Sequence, residues 1–416
     1  MGVIYFLRTY KDSPVTRTIT LLFGGQVVMA IAGLILGKAI ALYIPPTELG
    51  DYNLLLSGLN LAHVVLIVPI LQAFKTDQAQ LGIRAAFPFY SRLIGLAYVL
   101  CAGALLVFGY VYDQFLPALL ISAAGIGQGL YSGSIDYLNL NGKHRFYTAI
   151  QLSYSIGNLL LFALVVINYH QSTSLGLWLC LALSNVIFAG IGLTYSYKLI
   201  PATRLNVPDL PTFATFWRYA FPLIALALWG WVINYGDRYL ISLYLSEADV
   251  GQYSVGYGLG AKLVILVSPF VVHSTRQVYA LRAANVPTKA VWLVQRKYLF
   301  TYAALAGSAC VAYLLLRDEL GLLLLSDTYK EAFQIGPVIA FGYLFLTLIH
   351  LLEVQWYAYG YTRLILWTTI AGAVANIGFN LIFIPYFGLI GAAFASLLGF
   401  LIQFVVACFL YKSHLY

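Results

Sequence analysis

Long apolar segments recur along the chain and are separated by short polar connections. Their lengths predict twelve transmembrane helices, at 18–43, 50–74, 93–112, 115–139, 146–168, 174–197, 219–244, 251–275, 298–316, 336–358, 364–386 and 388–411. About 20 apolar residues span the hydrocarbon core as a helix, whereas a barrel strand needs only about ten. In lipid every backbone polar group needs a partner inside the protein, which a helix provides within itself. The pattern therefore predicts an all-α, polytopic membrane protein.

The composition supports lipid as the surrounding solvent. Hydrophobic residues make up 61% of the chain, charged residues only 9%, and the mean hydropathy is +0.84. Soluble domains carry about 25% charged residues, so this chain lacks the polar surface of a soluble enzyme or a nucleic-acid-binding protein. The first apolar segment is longer than the hydrophobic region of a signal peptide, and we expect it to be a membrane span.

Motifs of soluble catalysis are missing from the sequence. There is no ATP-binding P-loop, zinc-protease motif or nucleophile elbow. The four cysteines lie in separate apolar segments, without the spacing of a metal site or a disulfide framework. The sequence therefore predicts a protein that is not an enzyme and uses no cofactor or metal.

Basic residues predict the orientation in the membrane. If the N-terminus is cytoplasmic, 18 of the 23 Lys and Arg residues fall in cytoplasmic segments, three fall within predicted spans, and only Arg317 and Lys330 fall in outer segments. Cytoplasmic loops carry such an excess, so both termini are predicted to be cytoplasmic. The basic loops 75–92 and 276–297 are expected on the anionic inner leaflet, either as orientation determinants only or as sites that capture lipid headgroups.

The two halves of the chain resemble each other. At an offset of 201 residues, segment 43–52 lies over segment 244–253 without a gap, and two tyrosines, an acid and a glycine match. Later, 141–145 corresponds to 359–363. Each half holds six predicted helices, so both begin on the same side of the membrane.

The repeat predicts two parallel six-helix bundles, at 1–197 and 218–416, joined by a cytoplasmic linker at 198–217 that contains three prolines. Bundles related in this way can rock about a central site, which is how alternating-access transporters work. The sequence thus favours a transporter, although duplication alone also produces such symmetry.

Three basic side chains fall inside predicted spans. Ionisable groups in spans cost about 2.5–3.5 kcal/mol each and usually face a cavity or a partner. Lys38 and Arg238 lie at near-equivalent places, roughly 8–9 Å below the outer surface, and Lys262 lies roughly 17 Å deep. The three cations suit an anionic substrate. The alternative is that Lys38 and Arg238 reach outward to water or pair with Asp237.

Four other polar groups in spans are candidates for coupling or gating. Asp136 and Glu353 lie at near-symmetric positions, nine and ten residues before Arg145 and Arg363. Each is either a site for a coupling proton or cation or one half of a salt bridge near the inner surface. His63 and His350 are candidate proton relays, with ordinary packing as the alternative.

Segment 376–396 resembles the late-helix signature of Wzx-type polysaccharide flippases, in the multidrug/oligosaccharidyl-lipid/polysaccharide (MOP) exporter superfamily. The residues that carry the resemblance are Asn376, Asn380, Pro385, Gly388, Gly391 and Ser396. The stretches 237–253 and 46–52 are similar to the starts of that family's two halves. We expect Pro385 and Gly388 to form a tight outer turn, and the asparagines and small residues to pack helices together.

The resemblance implies a flippase for undecaprenyl-diphosphate-linked oligosaccharides in the bacterial cytoplasmic membrane. The charges inside the predicted spans place Lys38, Arg238, Lys262 and Asp237 as candidate substrate-binding residues in its central cavity. It also implies contact with membrane lipids and with a polymerase and chain-length regulator of the same pathway. The alternatives are a multidrug or metabolite exporter of the same superfamily, a lipid II flippase, which usually has two further helices, and a membrane polymerase or ligase.

Overall fold

A computed structural model describes residues 14–81, 83–198, 212–265, 269–284 and 286–415. The chain forms fourteen α-helices in these ranges and no strand: α1 Pro14–Tyr43, α2 Pro46–Ala62, α3 Val68–Leu81, α4 Ile83–Val111, α5 Phe115–Leu140, α6 His144–Phe162, α7 Ser174–Tyr197, α8 Phe213–Tyr244, α9 Glu247–Ile265, α10 Pro269–Ala283, α11 Thr288–Leu315, α12 Arg317–Leu324, α13 Lys330–Tyr359 and α14 Thr362–Leu415. Two π-helical turns, His63–Ile67 and Ala163–Asn168, continue α2 and α6.

Ten helical segments of the described chain are long and apolar enough to cross a membrane. One of them, Thr362–Lys412, covers the last two predicted spans. The predicted span 251–275 corresponds to α9 and the start of α10, with 266–268 outside the described residues. The prediction of an all-α, polytopic membrane protein is confirmed.

Helix α14 breaks at Gly388, where the sequence predicts a turn. Gly388 has φ +59° and ψ −140°, a backbone conformation that residues other than glycine rarely adopt. Beyond the break, a Cβ on Gly391 would overlap the backbone of Phe383. The two glycines therefore allow the chain to reverse tightly and the two parts of α14 to pack closely.

The described chain forms two compact units. Unit 1 comprises the described residues before Gly37 together with Leu59–Ile224, and unit 2 comprises Gly37–Gly58 and Ala225–Tyr416. In unit 1, α5 and α7 pack closely, and the Asn185 amide donates to the Ala124 carbonyl at 2.9 Å. Residues 199–211 of the predicted linker lie outside the described residues, and the division into six-helix bundles stays a prediction.

Candidate functional site

A buried carboxylate, Asp237 on α8, is the centre of a hydrogen-bond network in unit 2. Its side chain is fully buried and accepts hydrogen bonds from the hydroxyls of Tyr253 at 2.5 Å and Ser396 at 3.2 Å. The backbone N–H of Arg238 also donates to it, at 2.9 Å. A charge in a low-dielectric environment needs such partners, and here they come from three helices of the unit.

Arg238 is held within the same network. Its guanidinium lies 3.4 Å from the Asp237 carboxylate and donates to the Asn234 carbonyl at 2.8 Å. The rings of Tyr235 and Tyr257 each lie 4.9 Å from the guanidinium carbon, within cation–π range. Arg238 is 6% exposed. Of the two sequence interpretations, the structure has the pair with Asp237, so contact with a substrate requires this guanidinium to become accessible.

The network continues into the late-helix signature. Asn376 donates to the Ser396 hydroxyl at 3.3 Å, and Asn380 donates to the Asn376 side-chain oxygen at 3.1 Å. Asp237 and Asn376, far apart in sequence, are thus joined through Ser396. Sequence reasoning assigned no role to Tyr253 or to Ser396, although Ser396 ends the quoted signature and Tyr253 belongs to the repeat.

The other two predicted cations, Lys38 and Lys262, also belong to unit 2. The Lys38 ammonium donates to the carbonyls of Leu322, at 2.8 Å, and of Leu325. These carbonyls belong to the C-terminal end of α12, where the helix dipole favours a cation. The Lys262 ammonium lies 3.6 Å from the position that a Cβ on Gly37 would occupy. Lys262, on α9, therefore lies beside the stretch of α1 that carries Lys38.

A cavity of about 190 Å³ opens beside Glu353 in unit 2. Glu353 is 5% exposed and forms no salt bridge with any described residue. Gln403 lines the same cavity, and its side-chain oxygen has no hydrogen-bond partner in the described chain. Asn234 and His350 line it as well. The cavity therefore presents one carboxylate and several neutral polar groups.

The near-symmetric acid, Asp136, has a different environment. In unit 1 its carboxylate lies 2.5 Å from the Lys75 ammonium, and its side chain is 40% exposed. The repeat places the two acids at related positions, but their burial and their ion pairing differ in the structure. Asp136 has the salt bridge that the sequence offers as one alternative, whereas Glu353 has none with the residues that the structure describes.

His63 begins the π-helical turn that continues α2 in unit 1. It lines a cavity of about 40 Å³ with Tyr98 and Ser122. His63 Nδ1 and the two hydroxyls are buried and have no hydrogen-bond partner in the described chain. A buried water needs at least 10–15 Å³ and polar partners, so this site has room for one.

No family model and no curated protein matches this chain. Solved structures do. An inward-facing multidrug resistance MATE family transporter of the MOP superfamily is 12% identical and has a TM-score of 0.69 over 93% of this chain and 94% of its own. The chain has the fold of the MOP-superfamily transporters.

Two further solved structures have this fold but a different conformation from the inward-facing transporter, and one of them is a lipid II flippase. Lipid II flippase MurJ, in an inward closed conformation, is 14% identical and has a TM-score of 0.66 over 95% of this chain and 87% of its own. An outward-facing MATE family transporter is 14% identical and has a TM-score of 0.59 over 96% and 94%. At these identities the similarity shows the fold alone.

Proposed function

We propose that this chain is a flippase that moves undecaprenyl-diphosphate-linked oligosaccharides across the cytoplasmic membrane by alternating access. The observation that carries the proposal is the set of cations within the membrane-embedded helices of unit 2. Lys38, Arg238 and Lys262 contribute three positive charges, and Asp237 compensates one of them, being bonded to Arg238. A diphosphate headgroup carries the negative charge that an ammonium group such as that of Lys38 binds through charge-assisted hydrogen bonds.

Lys38 is the cation best suited to receive such a headgroup. Its described partners, the carbonyls of Leu322 and Leu325, carry no net charge. A diphosphate replaces them with full negative charges, and charge-assisted hydrogen bonds are roughly twice as strong as neutral ones. Arg238 is held by Asp237 and two tyrosine rings, so it joins the headgroup only after rearrangement.

Glu353 is the stronger of the two coupling candidates. A carboxylate that forms no salt bridge with a described residue and lies beside a polar cavity suits reversible binding of a proton or a monovalent cation, whereas Asp136 is paired with Lys75. The cavity of about 190 Å³ is also smaller than the 300–1,000 Å³ of a drug-sized site. Its size therefore favours a coupling ion over a drug as the ligand at Glu353.

The second candidate function is export of a drug or metabolite. It is favoured by the similarity of the fold to MATE transporters and by the buried acid at Glu353, since a cationic substrate needs an uncompensated carboxylate. Against it stands the presence of basic groups in unit 2, since the Lys262 ammonium lies beside the stretch of α1 that carries Lys38.

The test uses a strain in which this gene is deleted. Loss of a flippase leaves single lipid-linked repeat units on the inner leaflet, whereas loss of a polymerase leaves short unpolymerised chains on the outer side. Restoring the wild-type gene should clear the accumulated lipid, and a variant with Lys38, Arg238 and Lys262 all replaced by alanine should not. Lys330→Ala is the matched control, because Lys330 is an outer, exposed base paired with Asp327.

Two outcomes contradict the proposal. Full activity of the triple variant, at normal membrane abundance, rejects the cationic site. Absence of sugar-linked lipid build-up in the deletion strain, together with increased sensitivity to cationic dyes, assigns the chain to the exporters instead.

A further inference from the structure

Two glycines at equivalent positions of the repeat meet in unit 2. Helices α2 and α9 begin at Pro46 and Glu247, at the repeat offset of 201, and each has a glycine four residues later. A Cβ on Gly50 would overlap the carbonyl oxygen of Glu247 and lie 3.2 Å from the nitrogen of Gly251. A Cβ on Gly251 would overlap the carbonyl oxygen of Pro46. Each glycine thus faces the first residue of the opposite helix.

This reciprocity is the geometry of a two-fold interface, in which the same contact occurs twice with the partners exchanged. Gly50 contacts Glu247, and its equivalent Gly251 contacts Pro46, the equivalent of Glu247. Only glycine lets two backbones approach so closely, because any side chain at either position would occupy the space of a carbonyl. Ordinary helix packing does not require the same pair of contacts twice. The contact therefore joins the two halves of the repeat through their symmetry.

Hydrogen bonds join the two halves beside the glycine pair. The Ser326 hydroxyl donates to the Ala41 carbonyl at 2.5 Å, and the Tyr329 hydroxyl donates to the Ile44 carbonyl at 2.9 Å. Lys38 donates in the opposite direction, to the end of α12. We call the glycine pair and these bonds, within residues 38–50, 247–251 and 322–329, the outer seal.

The outer seal is made of reversible contacts. The acceptors of these bonds are main-chain carbonyls, which water satisfies when the bonds open. The basic-residue pattern assigns these segments to the outer side of the membrane. The seal thus lies where a substrate has to leave, at a junction closed by backbone contact and by hydrogen bonds to main-chain carbonyls.

We infer that the outer seal is the gate of this transporter, closed by backbone contact between Gly50 and Gly251, and that it separates to release substrate outward. The inference rests on the proposed alternating access. Opening the gate also removes Lys38 from the carbonyls of Leu322 and Leu325, so its ammonium is free to bind an anionic headgroup only when the gate is open. Gate opening and headgroup binding are therefore linked through one side chain.

The experiment measures access from outside to a cysteine below the seal. The four native cysteines are replaced by serine, and Ser57→Cys is introduced, because Ser57 on α2 is 1% exposed and seven residues beyond Gly50. Intact cells are treated with a membrane-impermeant maleimide. Gly50→Ala and Gly251→Ala should each raise the labelling rate about tenfold. Gly258→Ala, on the same helix α9 but with open space around it, should leave the rate unchanged.

A second variant loosens the seal without adding atoms. Tyr329→Phe removes the hydroxyl that donates to Ile44 and should raise labelling several-fold. Tyr313→Phe is its control, because that buried hydroxyl has no hydrogen-bond partner in the described chain. This pair keeps the test decisive if an alanine variant does not fold.

Unchanged labelling in folded Gly50→Ala, Gly251→Ala and Tyr329→Phe proteins overturns the gate and leaves the glycines as packing residues. Labelling needs no substrate. Increased labelling in a protein that fails the lipid-accumulation test therefore keeps the gate and rejects the proposed substrate, so the two failures are distinguishable.

Discussion

Replacing Asp237 should destabilise unit 2 strongly, because this carboxylate holds a buried cation and two hydroxyls. Asp237→Ala leaves the Arg238 guanidinium buried without its ion partner, and removing one member of a buried pair costs about 3–5 kcal/mol. Asp237→Asn keeps the size but loses the charge. Hydrogen bonds to charged groups contribute about 1.5–3 kcal/mol each, and Tyr253 donates the shortest one at 2.5 Å, so we expect Asn to cost about 2 kcal/mol.

The measurement is reversible unfolding in mixed micelles, with the free energy of unfolding obtained for each variant. Tyr253→Phe should cost about 1.5–3 kcal/mol by itself, and Tyr313→Phe, without a described partner, should cost far less. Because Asp237 and Tyr253 share one hydrogen bond, the double variant should cost less than the sum of the single ones by about 1 kcal/mol or more. An Asp237→Asn protein within about 0.5 kcal/mol of wild type, or strictly additive effects, would refute the network as a source of stability.

Two further predictions concern coupling and the turn at Gly388. Glu353→Gln should abolish the response of transport to an imposed proton or sodium gradient, measured in proteoliposomes. Asp136→Asn should retain the response, because the Asp136 carboxylate is paired with Lys75 in the wild type. A retained response in Glu353→Gln rejects the coupling site. Gly388→Ala should lower the free energy of unfolding by about 1–3 kcal/mol, because the Cβ meets open space but the backbone is at φ +59°. Gly378→Ala, also in open space but within the helix, is the control, and equal effects of the two substitutions would contradict the strain argument.

The late-helix signature illustrates where sequence reasoning succeeds and where it stops. Proline and glycine act through their own backbone geometry, so Pro385 and Gly388 predict a turn, and α14 breaks at Gly388. Asn376 and Asn380 lie one helical turn apart and interact as that spacing implies. Asn376 also bonds to Ser396, which in turn bonds to Asp237. These contacts depend on how α8 and the two parts of α14 pack, which the sequence does not show.

The sequence by itself determined that lipid surrounds this protein, that the chain is helical, and approximately where the membrane spans lie. Those properties follow from local composition, because hydrocarbon excludes unsatisfied backbone and favours helices wherever about 20 apolar residues occur together. Only the tertiary structure decided which polar groups meet. Asp136 and Glu353 occupy related places in the repeat, yet within the described part of the chain only Asp136 has a basic partner, Lys75, at 2.5 Å. Partners in space depend on the packing of helices distant in sequence, and no local pattern encodes that packing.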